Sequence, residues 1–374
     1  MRLPILTLLS PILAGASTTQ FPPPTGPYNV GYIQHIFNHT TPNDPVAPAN
    51  ASSILLATIY YPTLSIPTPN ATASYLDPTT AKVWGSALKF PSGTLESLRS
   101  WNQPNAAFLT EGTGLPTVIF SPGGGANGIM YTALNSELAS QGYTVVALDH
   151  PGEIPYLALP YGSPSGVYGL DITAVWNKTL QTAVYNMRIS DALAVIQDLY
   201  TPYVDEIKAP WNTTHFFMAG HSIGGAAAAG SMEKEPKILG GVNLDGGFYD
   251  PLPVATRPFL LMAGNEHTPS LDPTWSPFSA IQTGWWEWVN VTGTEHLDYS
   301  DLGDWVDLLG LRNQTLLTPK LGPIWGPRMD HIVAHWVLGL FDFVLCRKGD
   351  EGGMEVPSHE FPEVVRWNGS SKAI

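Results

Sequence analysis

The 374-residue sequence has little cysteine, little charge and no long apolar run, and each shortage excludes a class of protein. Its single cysteine, Cys346, excludes an intrachain disulfide and a metal cluster built on cysteines. Cys346 ends an apolar helical pattern over residues 330–346, which predicts that it is a core residue. After the first 16 residues no stretch is apolar over the length that a membrane-spanning helix needs, so the sequence predicts no transmembrane segment.

Charged residues make up 13% of the chain, and 17 basic residues face 31 acidic ones, which gives a net charge of −14. An acidic surface argues against nucleic acid as a partner and against electrostatic docking on anionic membranes. Hydrophobic residues make up 44% of the chain, which is ample for a large core. These values predict one large, ordered domain.

The N-terminus has the composition of a secretory signal peptide. A basic residue precedes a short apolar run over residues 3–13, and small residues follow at a plausible cleavage point. A membrane anchor fits less well because the run is short and is interrupted by two prolines. We expect residues 1–16 to be removed and residues 17–374 to form a single extracellular domain.

N-glycosylation motifs are an independent indication of the secretory pathway. Chance predicts about three Asn-x-Ser/Thr motifs in a chain of this composition, whereas eight are present. The excess predicts a secreted glycoprotein, with Asn290 the least favourable site because it falls within a predicted strand. The candidate sites are Asn38, Asn50, Asn70, Asn177, Asn212, Asn290, Asn313 and Asn368.

Apolar runs alternate with helical patterns through most of the chain, which predicts the doubly wound order of an α/β-hydrolase. Continuous apolar strands separated by helices are typical of a parallel sheet covered on both faces. Right-handed crossovers bring the carboxyl ends of these strands to one edge. The predicted strands lie at 28–37, 53–61, 115–120, 143–148, 238–244, 258–263 and 287–291, with another before residue 220, and the predicted helices lie at 80–89, 94–101, 130–140, 179–200 and 330–346.

The segment Gly220-His221-Ser222-Ile223-Gly224 matches the pattern G-x-S-x-G. The pattern is common by chance, but here an apolar strand precedes it and small helix-forming residues follow it. A serine at such a strand-to-helix turn adopts a strained backbone that exposes its hydroxyl, and the flanking glycines prevent clashes. We therefore predict that Ser222 is a nucleophile.

A serine hydroxyl needs a histidine to take its proton and a carboxylate to orient that histidine. In this fold the histidine follows the last strand, which favours His296 among the ten histidines of the chain. His267 is the competitor, and His150, a third candidate, fits the rim of a substrate pocket better. His221 is adjacent to Ser222 in sequence, so its ring should point away from it.

The acid has two candidates, and spacing alone does not choose between them. Asp245 ends the strand directly after the nucleophile helix, where two glycines allow a tight turn, although structural capping would explain it almost as well. Glu266 ends the next strand, which is the more usual place for the acid of a hydrolase.

Backbone N–H groups must stabilise the oxyanion that forms when an ester is attacked. One donor should be Ile223, directly after the nucleophile. The second should come from the glycine-rich loop at residues 123–125. These glycines lack the Lys-Ser/Thr that follows a phosphate-binding loop, so phosphate binding is the weaker hypothesis.

Two other features have simpler explanations than function. His331 and His335 lie four residues apart on a predicted helix, but they lack the accompanying glutamate and a third ligand, so we predict no metal site. Trp285 and Trp286 are candidates for a substrate-binding wall, although core packing is the simpler explanation for each.

The chain resembles the type II platelet-activating factor acetylhydrolases, most closely their fungal secreted members. The similarity covers most of the chain from about residue 28 to 347. Its main segments are TVIFSPGGG at 117–125, AGHSIGG at 219–225, NLDG at 243–246 and HLDYSD at 296–301. The nucleophile motif is generic, but its combination with the last segment is fairly specific.

The resemblance implies an α/β-hydrolase fold with long loops, and no metal or other cofactor. It also implies that Asp245 is the acid, that Gly124 donates the second oxyanion hydrogen bond, and that the substrate is a phospholipid carrying a short or oxidised acyl group. The chain departs from the family at Pro122, where a histidine is usual, and at Asp149-His150. These residues line the pocket, so another ester, such as a triacylglycerol or a polyester, and a non-catalytic binding role remain alternatives.

Overall fold

A computed structural model describes residues 18–47, 54–67, 72–161, 165–170, 175–265, 267–268, 270–314, 316–347 and 353–370. The predicted signal peptide, the glycosylation motifs at Asn50 and Asn70, and the candidate acid Glu266 lie outside the described residues. The strands are β1 (Thr19–Gln20), β2 (Asn29–Asn38), β3 (Ile54–Thr63), β4 (Ala73–Ser74), β5 (Leu98–Ser100), β6 (Gln103–Pro104), β7 (Thr117–Ser121), β8 (Thr144–Asp149), β9 (Tyr156–Ala158), β10 (Gly166–Tyr168), β11 (Phe216–His221), β12 (Ile238–Leu244), β13 (Phe259–Ala263), β14 (Trp286–Val291) and β15 (Val364–Gly369). The helices are α1 (Pro78–Ala87), α2 (Thr132–Ser140), α3 (Lys178–Ala194), α4 (Tyr200–Ile207), α5 (Ile223–Lys234), α6 (Trp275–Ile281), α7 (Leu302–Leu308) and α8 (Gly326–Val344), and a π-helical segment (Val195–Leu199) joins α3 to α4.

Ten strands form the central sheet, in the order β15-β14-β13-β12-β11-β7-β8-β3-β2-β6. Six consecutive strands of this sheet are parallel to one another: β14, β13, β12, β11, β7 and β8. Strand β3 is antiparallel to both β2 and β8, and β15 is antiparallel to β14 at the other edge. The mostly parallel sheet of an α/β-hydrolase, predicted from the sequence, is confirmed.

Helices cover both faces of this sheet because its central strands are apolar on both faces. All residues of β7, β8, β11 and β13 are buried. Alternate residues of β7 enter opposite cores, with Val118 in the core that contains Leu138 of α2 and Trp336 of α8. Its neighbour Ile119 packs in the core that contains Val184 of α3. The sheet is therefore the middle of three layers.

Two local predictions are wrong, and one edge strand was not predicted. The pattern at 94–101 predicted a helix, but the chain forms a short 3₁₀ turn, Leu95–Ser97, and then β5, which pairs with β1 and β4. Strand β15 was not predicted, because it is mostly exposed at the sheet edge and its residues lack an apolar run. Helix α8 ends at Val344, so Cys346 lies beyond it with a φ of 52° and is exposed rather than in the core.

The glycosylation motifs differ in accessibility. Asn290 is 3% exposed in β14, and its amide donates hydrogen bonds to the carbonyls of Ala263 and Gly264. A glycan would not fit at that position in the folded protein, so the structure does not support this candidate site. The side chains of Asn38, Asn313 and Asn368 are exposed. Among the described residues, no helix has both the length and the apolarity needed to cross a bilayer.

Candidate active site

The predicted nucleophile lies at a sharp turn between β11 and α5. Ser222 has φ 57° and ψ −128°, a conformation that side chains rarely adopt and that costs about 1–3 kcal/mol. A Cβ on Gly224 would overlap the carbonyl oxygen of Ser121, and one on Gly220 would overlap the backbone of Gly224. Only glycine therefore fits two positions before and two positions after this serine. The strand, the turn and the helix agree with the sequence prediction.

The ends of neighbouring parallel strands bring three side chains into a line. Ser222 follows β11, Asp245 follows β12, and His296 follows β14. His296 Nε2 lies 3.0 Å from Ser222 Oγ, and His296 Nδ1 lies 2.7 Å from Asp245 Oδ2. A carboxylate accepts hydrogen bonds, so Nδ1 carries the proton and Nε2 is free to accept the serine hydroxyl. The arrangement matches a nucleophile, a base and an orienting acid.

Asp245 is completely buried, and its charge is stabilised by hydrogen bonds. Burial alone would raise the pKa of Asp245, but hydrogen bonds from His267 and His296 lower it well below the usual range. The N–H of Gly264 donates a third hydrogen bond, 2.6 Å long, to Oδ1. The carboxylate is therefore ionised in the folded protein and held on three sides.

The loop after β7 lies beside the start of α5. A Cβ on Gly124 would lie 3.7 Å from Ile223 Cγ2, so the two predicted oxyanion donors are neighbours. The buried guanidinium of Arg188 donates to the carbonyls of Pro122 and Gly123. Arg188 also pairs with Glu153, which is buried as well. No local pattern indicates this ion pair behind the loop, because residues 188 and 153 are far apart in the chain.

His221 connects the same loop to the base. Its Nε2 lies 2.9 Å from the carbonyl oxygen of His296, so Nε2 is the donor and Nδ1 the acceptor. Tyr131 then donates to His221 Nδ1 over 2.8 Å and accepts from the N–H of Gly123 over 2.9 Å. Burial, together with the neighbouring His296, holds the pKa of His221 well below its usual value, so the ring is neutral. As predicted, His221 points away from Ser222.

The segment that carries His296 is fixed by a buried aspartate. Asp298 Oδ2 accepts the N–H of Glu295 over 2.8 Å and the N–H of Gly322 over 2.6 Å. Asp298 and Glu295 also form a reciprocal capping box around this 3₁₀ turn. The motif HLDYSD thus contains both the candidate base and the carboxylate that holds its turn.

The competitor histidine occupies a different place in the same cluster. His267 Nδ1 lies 2.8 Å from Asp245 Oδ1, on the side of the carboxylate away from His296. Its Nε2 lies 3.2 Å from Asp272 Oδ2. Both histidines contact Asp245 at hydrogen-bond distance, one at each carboxylate oxygen. His267 therefore faces the acid, and His296 faces the serine.

Three predicted substrate-binding residues lie elsewhere. His150 is buried, and its Nδ1 lies 2.9 Å from Asp191 Oδ2, so it does not line an open rim. Trp286 begins β14 and is therefore at the end of the strand opposite to His296. Trp285 precedes it and packs on Phe343 of α8. Nothing in their positions supports substrate binding, and that assignment stays a prediction.

A different tryptophan adjoins the site. A Cβ on Gly124 would lie 3.0 Å from the ring of Trp176, which is partly buried over the glycine-rich loop. Trp176 precedes α3 after a long loop, and no motif marks it. Only the folded chain shows that this ring borders the predicted oxyanion donors.

A second group of carboxylates, here called the acidic trio, consists of Asp301, Asp304 and Asp330. Their oxygens lie within 4.8 Å of one another. Burial and the charge of Asp330 raise the pKa values of Asp301 and Asp304 well above the usual range. Burial likewise raises the pKa of Asp330 to about 7. Carboxylate oxygens are ligands of hard cations, and without such an ion protons balance part of the charge of the trio.

Comparisons with known families agree with this architecture. Residues 118–366 match the "Alpha/beta hydrolase family", and residues 13–155 match "Platelet-activating factor acetylhydrolase, isoform II". A solved structure described as a ferulic acid esterase from Streptomyces cinnamoneus superimposes with a TM-score of 0.81 at 25% sequence identity. That match covers 94% of this chain and 100% of the other.

The similar curated proteins include a probable 1-alkyl-2-acetylglycerophosphocholine esterase of Arthroderma benhamiae, 28% identical over 268 residues. The platelet-activating factor acetylhydrolase of Cavia porcellus is 26% identical over 256 residues. The alignments cover 67% and 61% of this chain, but only 66% and 55% of those relatives. The resemblance found in the motifs is confirmed, although the matches span less than two thirds of the relatives' length.

Proposed function

The chain belongs to the alpha/beta hydrolase family, and on that premise we propose that it is a serine carboxylic ester hydrolase. Ser222 Oγ attacks the carbonyl carbon of the ester while His296 Nε2 takes the hydroxyl proton. The carbonyl electron pair moves to oxygen, and the N–H groups of Ile223 and Gly124 stabilise the resulting oxyanion. Asp245 stabilises the imidazolium that forms at His296.

The tetrahedral intermediate then collapses. The bond to the leaving alcohol breaks, His296 gives its proton to the alcohol oxygen, and the acyl group remains on Ser222. Water next loses a proton to His296 and attacks the acyl carbon. The carboxylic acid leaves as the proton returns to Ser222, so the enzyme is regenerated and the balance is one ester and one water to one acid and one alcohol.

The observation that carries this proposal is the hydrogen-bonded line from Ser222 to Asp245, with distances of 3.0 and 2.7 Å, at a backbone turn that only flanking glycines permit. Ser222→Ala should reduce kcat for p-nitrophenyl acetate by about 10⁴-fold or more, because no acyl-enzyme can form. Ser86→Ala, at an exposed position of α1, is the matched control and should retain activity. Undiminished hydrolysis by Ser222→Ala would refute the assignment.

For the substrate we propose a phospholipid with a short or oxidised acyl group at one ester, such as platelet-activating factor. The names of the Arthroderma and Cavia relatives support this choice. A feruloyl ester is the second candidate, because the Streptomyces ferulic acid esterase matches nearly the whole chain. Side-by-side kcat/KM values for platelet-activating factor, methyl ferulate, an emulsified triacylglycerol and a polyester separate the candidates. A kcat/KM highest for any ester but platelet-activating factor would contradict our choice.

We also propose that the protein is secreted and glycosylated. The exposed positions of Asn38, Asn177, Asn313 and Asn368 support glycan attachment in the folded state. Mass spectrometry of glycan-released peptides from protein secreted by a fungal host should find modified asparagine at these positions and unmodified Asn290. Absence of the protein from the medium, or glycan only at Asn290, would contradict the proposal.

A further inference from the structure

His267 lies between two carboxylates, one at each ring nitrogen. Nδ1 lies 2.8 Å from Asp245 Oδ1, and Nε2 lies 3.2 Å from Asp272 Oδ2. An ionised carboxylate only accepts hydrogen bonds, so both nitrogens satisfy their partners only if both carry a proton. Neutral imidazole has a single N–H and could donate to only one of the two carboxylates, so this placement favours the imidazolium.

Asp272 is itself held in the ionised form. Its Oδ1 accepts hydrogen bonds from the N–H and the hydroxyl of Thr274 and from the N–H of Trp275. Burial would raise the pKa of Asp272, but the hydrogen bonds from His267 and Thr274 lower it below the usual value. The proton between Asp272 and His267 therefore resides on the histidine.

The surroundings of His267 keep this cation out of water. The ring stacks on the buried indole of Trp275, with centroids 5.2 Å apart and planes inclined by 27°, which also favours a cation. Burial alone would lower the pKa of His267, but the hydrogen bonds to Asp245 and Asp272 raise it to about 10. At neutral pH Asp272 is thus an anion, His267 a cation and Asp245 an anion. His296 and then Ser222 follow Asp245 in the same line of contacts.

We infer that His267 is a positioning residue that stays cationic, holds Asp245 against His296 and moves the acid limb of ester hydrolysis to lower pH. The inference rests on the proposed function, because it assigns the role of a residue in that reaction. Ring centroids of His267 and His296 are 6.2 Å apart. At that separation a unit charge moves a titration by about one pH unit when solvent screening is allowed for.

The other titratable groups around His296 do not replace this charge. The ring of His221, with its centroid 4.6 Å away, is kept neutral by burial, and burial keeps the pKa of Tyr299 well above its usual value. Asp298 and Glu295 lie on the same segment, and the Asp298 carboxylate faces backbone N–H groups. These groups are the same in the wild type and in a His267 variant, so the difference between two pH profiles isolates His267.

The test is the pH dependence of kcat/KM for p-nitrophenyl acetate in the full chain. His267→Gln keeps a neutral donor but removes the charge, so the acid limb of the profile should move to higher pH by about one unit. Asp272→Asn keeps the ring and should move the limb part of the way. A merely structural role would lower the rate equally at every pH and leave the limb in place, which would overturn the inference.

His215→Gln is the matched control, because His215 is exposed and precedes β11 at the end opposite to Ser222. Its profile should coincide with that of the wild type. A second readout does not depend on activity: ¹⁵N spectra of histidine-labelled protein at pH 8 should show one ring with both nitrogens protonated, and His267→Gln should lack it. A neutral His267 in these spectra would overturn the inference even if the wild type hydrolysed no ester, which would separately refute the proposed function.

Discussion

The carboxylate of Asp245 and the acidic trio are two sites whose negative charges are balanced in opposite ways. Asp245 accepts hydrogen bonds from two histidines and from a backbone N–H. Within the acidic trio, Asp301 accepts from Tyr75 and from backbone N–H groups, whereas the hydrogen-bond partner of the Asp304 carboxyl is another carboxyl, that of Asp330. No Lys, Arg or His forms a salt bridge to the trio within the described ranges.

The difference shows that donors, rather than depth, decide the charge of a buried carboxylate. Asp245 and Asp304 are both almost completely buried. Burial and hydrogen bonding together leave the pKa of Asp245 far below the usual range, while burial and the charge of Asp330 leave that of Asp304 far above it. One group therefore keeps a negative charge for chemistry, and the other retains protons.

The two groups are connected through the start of α2. Asp301 Oδ2 accepts the N–H of Thr132 over 2.8 Å, and the N–H of Asp301 donates to the carbonyl of Met130 over 2.8 Å. Tyr131 lies between Met130 and Thr132 in the chain, and its hydroxyl forms a hydrogen bond with His221. The acidic trio thus anchors the segment that connects the glycine-rich loop at residues 123–125 to the candidate base.

The largest expected effect concerns Asp245, the charged carboxylate. Asp245→Asn replaces an acceptor by an amide that can donate to His296 Nδ1, which favours the wrong tautomer of the base. We expect kcat for p-nitrophenyl acetate to fall by about 10⁴-fold at pH 7. The matched control is Asp205→Asn, at an exposed position of α4, and it should keep full activity. A loss of less than about tenfold would mean that another carboxylate orients His296.

The next effect concerns the protonated side and is measured as stability. A carboxyl with a raised folded pKa binds more protons folded than unfolded, so its contribution to stability is present below about pH 4 and is lost as pH rises toward the folded value, about 7 for Asp330. Asp304→Asn removes one charge from this site. We expect the free energy of unfolding in urea to rise by about 1–3 kcal/mol at pH 8 and to change little at pH 4.

The same exposed variant, Asp205→Asn, serves as the reference for this stability measurement. Its unfolding free energy should follow that of the wild type at both pH values. If Asp304→Asn lowered the free energy of unfolding by the same amount at pH 4 and pH 8, the effect would come from packing rather than from charge. That result would contradict the claim that the acidic trio retains protons.

A smaller effect should follow when the link between the groups is cut. Tyr131→Phe removes the hydroxyl that donates to His221 and accepts from Gly123. We expect kcat to fall by about 10- to 100-fold with little change in KM, because the glycine-rich loop at residues 123–125 and the segment of His296 are no longer connected through the Tyr131 hydroxyl. Tyr61→Phe, which also loses one hydrogen bond, to the Ala106 carbonyl, should leave kcat unchanged. An equal loss in both variants would indicate general destabilisation.

The smallest expected effect concerns Trp176, which lies at the edge of the candidate active site. Trp176 lies over Gly124, so Trp176→Ala should raise KM for aromatic esters several-fold and change kcat by less than about threefold. Trp325→Ala, at a residue that is 58% exposed, is the control. Steady-state kinetics with p-nitrophenyl and feruloyl esters check both values. A large fall in kcat with an unchanged KM would mean that Trp176 does not contact the bound substrate.

Much of the fold was predictable because local patterns and buried strands agree. The apolar runs before Ser222 and Asp245 and the helical residues after Ser222 predicted β11, β12 and α5. Strand β15 was not predictable, since an exposed edge strand has no apolar run, and Cys346 was misplaced because the pattern did not show where α8 ends. Trp286 was proposed for substrate binding although the direction of its strand already places it at the end away from His296.

The site was predictable only in part, because strand ends reveal which residues meet but not which atoms. Spacing left Asp245 and Glu266 even, and it presented His267 as a rival base. The role of His267 depends on the side from which it approaches Asp245, and the positions of Arg188 and Trp176 depend on long loops. Such contacts between distant segments carry no local sequence signal.

The central claim is that Ser222, activated by His296, is the nucleophile. The most direct measurement is peptide mass spectrometry after reaction of the full chain with a fluorophosphonate, because this reagent forms a stable adduct only with an activated serine. The account predicts one adduct, on Ser222, which is lost in His296→Gln. No adduct on Ser222, or equal labelling of the His296→Gln variant, would contradict it.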